Sequence, residues 1–259
     1  MVNNANLVGE HGLSLYLDTG SKKILFDTGQ SGLFLQNAKA LGIAIDDVDS
    51  LVLSHGHYDH TGGLYPFLRK NRKAKVYVKK NIFLPKYSDK TRFTGTIYDG
   101  ELLTNRLVDV DSIIEIARDV FIMPEINIYN PIDTNFISST RKVGNEFIPD
   151  EFDDELFMVV KQDEKINIVT ACSHRGITNI CSTATEYLNL PVGLVLGGFH
   201  MKDCSVEQYV HIMHYFRLLQ PESIGTCHCI GLEKFADLHR ECETHLFYNF
   251  TGNVVEFQY

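Results

Sequence analysis

The run SLVLSHGHYDHTGGL, residues 50–64, constrains this chain more than any other. Its apolar start reads as a strand, and that strand delivers three histidines, an aspartate and a glycine pair into the loop that follows. In an extended chain, side chains two residues apart point the same way, so His55 and His57 can grip one ion. Asp59 and His60 lie where the chain turns toward a helix, so they face elsewhere and can hold a second ion. Neutral imidazole and carboxylate oxygen are the ligands that zinc and similar divalent ions prefer. Gly56, Gly62 and Gly63 permit the tight backbone path this needs. The competing reading is a polar loop whose histidines are merely solvated, and histidines elsewhere in the chain weigh against it.

Three of them repeat the arrangement. His174 follows the apolar run INIVTACS, His200 follows GLVLGGF, and His228 lies in SIGTCHCIG. Strands that pack into one core deliver their ends to a common edge, where a site can be assembled from distant pieces of sequence. The chain has 11 histidines in 259 residues, and their placement carries more of the argument than their number.

Elsewhere the pattern is that of a strand-rich α/β chain. GLSLYLDTGSKKILFDTG, residues 12–29, holds two alternating apolar runs around Gly20-Ser21, a hairpin signal. A helix is predicted from Ser31 to about Leu41 with Gly42 as its stop, and strands over 51–53, 75–80 and 119–125. A hairpin over 155–171, helices over 176–188, 205–219 and 232–243, strands over 192–198 and 223–229, and a closing hairpin around Thr251-Gly252-Asn253 complete the reading. Segments 81–118 and 126–154 show no clean period and are expected to be lid-like insertions in a single domain spanning 1–259.

At 44% hydrophobic and 22% charged residues the chain has the apolar mass for a core. Its net charge of −9 argues against nucleic-acid or anionic-membrane partners. No stretch is long enough to span a bilayer, so a soluble cytoplasmic protein is expected. The six cysteines, Cys172, Cys181, Cys204, Cys227, Cys229 and Cys242, make no C-x-x-C pair and read as reduced thiols. Cys227 and Cys229 flank His228 and, in an extended chain, point away from the face it uses, so packing is their expected role, as it is for Cys172.

SHGHYDH resembles the signature of the metallo-β-lactamase-fold metallohydrolases, and ILFDTG resembles the aspartate-bearing strand end that precedes it in that family. The similarity runs from about Asn4 to the C-terminus. GEHGLSLYLDTG, ILFDTGQS, ACSHRGI, LGGFH and CHCIG are similar, more narrowly, to the 7,8-dihydropterin-6-ylmethyl-4-(ribofuranosyl)aminobenzene-phosphate synthase-like branch. The resemblance implies an α/β fold, the four-layer αββα metallo-β-lactamase sandwich, with a first edge strand that is short or absent here. It implies two divalent metal ions, zinc before manganese, iron or nickel. His55, His57 and His174 would hold the first, and Asp59, His60 and His228 the second. A hydroxide between two such ions suits the cleavage of phosphoesters and related esters.

One departure stands out. Where the family has an aspartate bridging the ions, this sequence has His200, and imidazole offers a single lone pair that cannot bridge. His200 then binds the second ion alone or faces the substrate; with Asp59 it is a candidate catalytic residue. Two divalent cations, Asp59 and a hydroxide leave about +2 at the centre, one unit more than in the bridged version. That favours a small anionic substrate, a weaker second site, or both. Asp27 is expected to orient a ligand histidine, and His11 either lies at the site rim or is plain polar surface. Arg175 is either a phosphate contact or an exposed arginine at a helix start, and Arg92, Tyr98 and Lys142 are candidate lid contacts. The expected function is a metal-dependent hydrolase of a small anionic, phosphoester-type substrate. The alternatives are a transferase-type synthase of the pterin pathway and a non-catalytic metal or ligand binder. No nucleic-acid or membrane partner is expected, and a homo-oligomer is compatible with the sequence.

Overall fold

The computed structural model of the chain describes residues 2, 6–136 and 139–256. The first edge strand, expected to be short or absent, would precede Asn3, where residue 1 lies outside the described residues. Two compact units divide the chain: Met1–Asp111 with Phe136–Leu156, and Ser112–Asn135 with Phe157–Tyr259.

In the first unit, β1 (Leu15–Asp18) and β2 (Lys23–Phe26) form the predicted antiparallel hairpin. β3 (Ser50–Val52), β4 (Lys75–Val78) and β7 (Leu107–Asp109) extend it in parallel, in the order β1-β2-β3-β4-β7. Helix α1 (Leu33–Ala40) and, after the short α2 (Tyr58–Thr61), helix α3 (Leu64–Lys70) pack Phe34, Ala38, Leu64 and Phe67 into one core with Leu51, Val76 and Val78. Parallel pairing sets Phe26 opposite Val52, so β2 and β3 end side by side and release Asp27 and Ser54 at the same edge.

The two segments without a clean period build a second sheet. β5 (Lys86–Ser88) and β6 (Arg92–Phe93) come from the first, and β10 (Ser139–Val143) and β11 (Glu146–Pro149) from the other; they pair antiparallel in the order β11-β10-β5-β6. Such strands are too short and polar to show an alternating apolar signal; β10 reads STRKV. Between β6 and β7, α4 (Gly100–Leu103) is capped by Asp99, whose side chain accepts from the N–H groups of Glu101 and Leu102.

This sheet brings a buried cation toward the histidine loop. Lys86 Nζ lies 2.5 Å from Asp150 Oδ2 and 2.9 Å from Asp154 Oδ1. Burial works against its charge, but Asp154 and Asp150 outweigh that and hold its pKa above the ordinary lysine value. The other oxygen of Asp154 accepts the N–H of Gly56 at 2.8 Å, so the network grips the residue between His55 and His57. A Cβ on Gly56 would lie 2.1 Å from the Ile82 carbonyl oxygen, an approach that only glycine allows.

The second unit is built on one sheet, β16-β15-β14-β13-β12-β9-β8. β8 (Ile114–Ala117), β9 (Val120–Met123), β12 (Phe157–Gln162) and β13 (Lys165–Val169) are antiparallel neighbours. β14 (Val192–Gly197), β15 (Ser223–Thr226) and β16 (His245–Tyr248) continue from β13 in parallel. Helices α5 (Ile177–Leu188), α6 (Val206–Leu219) and α7 (Leu232–Glu241) follow the predicted spans. Ile180, Ala184, Ile212 and Phe216 from these helices pack with Val159, Ile168 and Val195 from the sheet.

The predicted closing hairpin does not form. The chain returns through α7 to lay β16 in parallel against β15, and the described residues after Tyr248 hold an isolated bridge at Thr251 but no further strand. No disulfide joins the six cysteines. Among the described residues, no helix is long and apolar enough to cross a membrane.

One buried acid in this unit has an incomplete set of partners. Asp133 accepts the Thr178 N–H at the start of α5 through Oδ2 at 2.6 Å, while its Oδ1 is buried with no hydrogen-bond partner. Burial raises its carboxyl to about 6, against hydrogen bonds from Thr178 and Gln208 that lower it.

Replacing Lys86 by methionine leaves Asp150 and Asp154 buried without their cation. A loss of about 3–5 kcal/mol is expected in urea unfolding, with the Lys86→Met, Asp150→Asn, Asp154→Asn triple variant recovering most of it. Asp133→Asn reports through pH. The folded carboxyl titrates above its unfolded value, so the native state holds an extra proton between about pH 4 and 6. Wild-type stability therefore falls as pH rises through that window, by about 3 kcal/mol for a shift of this size. The variant should lose that part of the slope; parallel stability curves for the two proteins from pH 4 to 7 would overturn the assignment.

Candidate metal centre

The first unit gathers its candidate ligands around the carboxylate of Asp27. This residue follows β2 with φ of 60°, a left-handed conformation that aspartate tolerates better than most residues. It is fully buried. Its Oδ1 accepts the Ser54 N–H, and its Oδ2 accepts both the Ser54 hydroxyl and Nδ1 of His60, each at 2.7 Å. A carboxylate can only accept, so the single Ser54 hydroxyl proton goes to Asp27. Ser54 Oγ lies 2.9 Å from Nδ1 of His55 and must therefore accept from that ring. His55 and His60 thus both carry their proton on Nδ1 and present Nε2 as a lone pair, the state a metal ligand requires.

The same geometry sorts the motif. His55 Nε2 lies 3.2 Å from Nδ1 of His57, close to the roughly 3.3 Å between two imidazole nitrogens on one tetrahedral zinc ion. Asp59 Oδ2 lies 3.7 Å from His60 Nε2 and 3.3 Å from Nε2 of His11. His57 is still extended, and α2 begins at the next residue, which rotates Asp59 and His60 away from the first pair. The N–H and hydroxyl of Thr28 both donate to the His60 carbonyl, fixing that backbone. Phe152 packs edge-on against His57 with ring centres 5.2 Å apart, and Lys86 Nζ sits 5.0 Å from the centre of the Phe152 ring.

The second unit offers its candidates from three neighbouring strand ends. β13, β14 and β15 run parallel, so their C-terminal ends share one edge. Just beyond them, Ser173, His200 and His228 have φ of 59°, 49° and 55°. Left-handed residues other than glycine are uncommon and tend to collect at functional sites. His174 is buried, with Nδ1 3.4 Å from the Asn135 carbonyl oxygen and its ring centre 4.6 Å from that of His200. His228 does not continue β15 but opens a 3-10 turn, His228–Ile230. The strand alternation that would turn Cys229 away from His228 is therefore lost, and Cys172, His228 and Cys229 bring their ligand atoms within 4.8 Å of one another.

The other candidate contacts have partners within the protein. The Arg175 guanidinium donates to the Ile126 carbonyl at 3.3 Å, tying the segment after β9 to the start of α5. Arg92 lies over the Tyr58 ring and Lys142 over the Phe147 ring, both on the small sheet, while Tyr98 is exposed against Phe83. Ser54 is the member that a reading by residue type passes over, although it stands directly before His55. Lys86 and Asp154 give no local signal, because they meet only across 68 residues of chain.

The family model for the Metallo-beta-lactamase superfamily matches residues 7–157. The 7,8-dihydropterin-6-methyl-4-(beta-D-ribofuranosyl)-aminobenzene-5'-phosphate synthase of Methanocaldococcus jannaschii is 29% identical over 249 residues, covering 89% of this chain and 84% of that protein. Uncharacterized protein MJ0448 of the same organism is 28% identical over 253 residues, covering 95% and 93%. The crystal structure of Tm1679, described as a metal-dependent hydrolase of the beta-lactamase superfamily, is 31% identical and superimposes with a TM-score of 0.86, covering 99% of this chain and 95% of that one. With more than half its length inside the family model and a solved relative similar along nearly all of it, the chain belongs to the metallo-beta-lactamase superfamily and has its mixed α/β fold.

Proposed function

We propose that this chain is a metal-dependent hydrolase of a small anionic phosphoester. One ion would be held by His55, His57 and His174 and the other by Asp59, His60 and His228. The observation that carries the reading is the 3.2 Å approach of His55 Nε2 to His57 Nδ1, with the His55 lone pair oriented by the Asp27–Ser54 chain. Bound there, divalent ions supply Lewis acidity and a water acidic enough to lose a proton near neutral pH. The protein's own part is orientation and charge. Asp27 holds His55 and His60 in the ligating tautomer, and Asp59 is the one carboxylate among the proposed ligands. His200, standing where the family has its bridging aspartate, leaves the centre one unit more positive, which favours an anionic substrate. A nitrogen-rich donor set favours zinc. Six cysteines without a disulfide fit a cytoplasmic setting.

A second reading, a transferase-type synthase of the pterin pathway, is favoured by the similarity to the M. jannaschii synthase over most of both chains. One assay separates the two. Release of phosphate or alcohol from a model phosphodiester supports the hydrolase, and product that forms only with a second organic substrate supports the synthase. Fully metallated protein that turns over neither would be a binder.

Removal of metal with a chelator is expected to abolish turnover, and zinc to restore it. Full activity in protein shown by metal analysis to hold no ion would sink the proposal. Asp27→Asn should weaken metal binding by about 10–100-fold in chelator competition. Ser54→Ala unties only His55, so it should weaken one ion and spare the other; equal loss at both would contradict the hydrogen-bond chain.

A further inference from the structure

We infer that Cys172 and Cys229 join His228 as sulfur ligands of the second ion. The inference rests on the metal-centre reading above and deepens it, because nothing in the motif spacing calls for sulfur. The Sγ atoms of both cysteines and a ring nitrogen of His228 lie within 4.8 Å of one another. Zinc with sulfur and nitrogen ligands sets such atoms about 3.5–3.8 Å apart, so a small closing movement brings these three to ligating distance of one ion. No disulfide joins the two thiols.

The backbone around the sulfurs is shaped for them. A Cβ on Gly198 would lie 2.5 Å from the Ala171 carbonyl oxygen and 2.6 Å from Cys229 Sγ, so the glycine just after β14 allows both the backbone approach and the seat of the sulfur. The His200 N–H points at Cys229 Sγ at 3.2 Å, and His200 takes a left-handed φ of 49° there. An amide donor strengthens when its acceptor is charged, so this bond serves a metal-bound thiolate better than a packed thiol. His228, also left-handed, turns Cys229 back toward its own ring, and Ser173 makes the matching turn between Cys172 and His174. Backbone strain of this kind persists where the surrounding structure imposes it for a purpose.

Sulfur ligation also answers the charge left by His200. The two thiolates bring the centre from about +2 to about 0, one unit below the value an aspartate bridge would leave. Thiolate selects zinc over manganese, so the second site should discriminate between those ions more sharply than a nitrogen and oxygen set would.

The test is the absorption spectrum of the full chain loaded with cobalt(II) under reducing conditions. A near-ultraviolet sulfur-to-cobalt charge-transfer band is expected in the wild type. It should be diminished in Cys172→Ser and in Cys229→Ser and unchanged in Cys242→Ser, with zinc affinity at the second site falling at least about tenfold in the first two. Two bound cobalt ions with visible bands but no charge-transfer band would overturn sulfur ligation and leave the metal-centre reading intact. A wild type that binds no cobalt would overturn both. If either serine variant fails to fold, the wild-type spectrum still decides.

Discussion

A carboxylate with two oxygens accepts three hydrogen bonds at the root of the first unit's ligand cluster. Asp27 has no solvent to fall back on, so each lone pair it presents must meet a donor or cost about 1–3 kcal/mol. It meets the Ser54 amide, the Ser54 hydroxyl and the His60 ring. Because the hydroxyl has one proton, satisfying Asp27 also dictates which nitrogen of His55 is protonated, one bond further on. One acid thereby sets the tautomer of a histidine in each of the two pairs. The arrangement depends on β2 and β3 being parallel and in register, since a slip of one residue would turn Asp27 to the opposite face of the sheet.

Lys86, Asp150 and Asp154 hold the same loop from the other side. Two acids and one lysine leave a buried net charge of about −1, which hydrophobic residues of similar volume would avoid at no loss of stability. What the acids gain is direction. Asp154 faces Lys86 with one oxygen and the Gly56 amide with the other, so the excess negative charge is met by an N–H of the histidine loop itself. The network is better understood as fixing where His55 and His57 stand than as adding to stability.

What could be read from the sequence divides along the range of the interactions. Strand ends bearing His55, His174, His200 and His228 are visible because apolar alternation and helix period are local, and the hairpin over β1 and β2 and the three helices of the second unit follow the predicted spans. The small sheet was invisible: β5 and β10 are defined by pairing with each other, and neither carries a period that survives without its partner. The parallel seat of β16 was missed because Thr251-Gly252-Asn253 is a good local turn signal, and only the free edge of β15 outcompetes it. The expected direction of Cys229 failed for a sharper reason. Alternation holds only while the chain is extended, and a single left-handed residue, His228, ends that condition one position too early.

That failure bears on how a centre can lose a bridging carboxylate. In the proposed centre, His200 would give up an anionic bridge, at the cost of a net positive charge and one fewer shared ligand atom. A substitution of one residue type cannot repair this from its own position, because imidazole supplies neither charge nor a second lone pair. Compensation has to come from a neighbouring strand end, and parallel strands make that feasible, since the ends of β13, β14 and β15 are held in register along one edge. Three left-handed residues on that edge, each costing about 1–3 kcal/mol, then turn what would be core-facing sulfur into sulfur beside His228. The strain, the glycine that makes room and the amide aimed at Cys229 all concern the same few atoms.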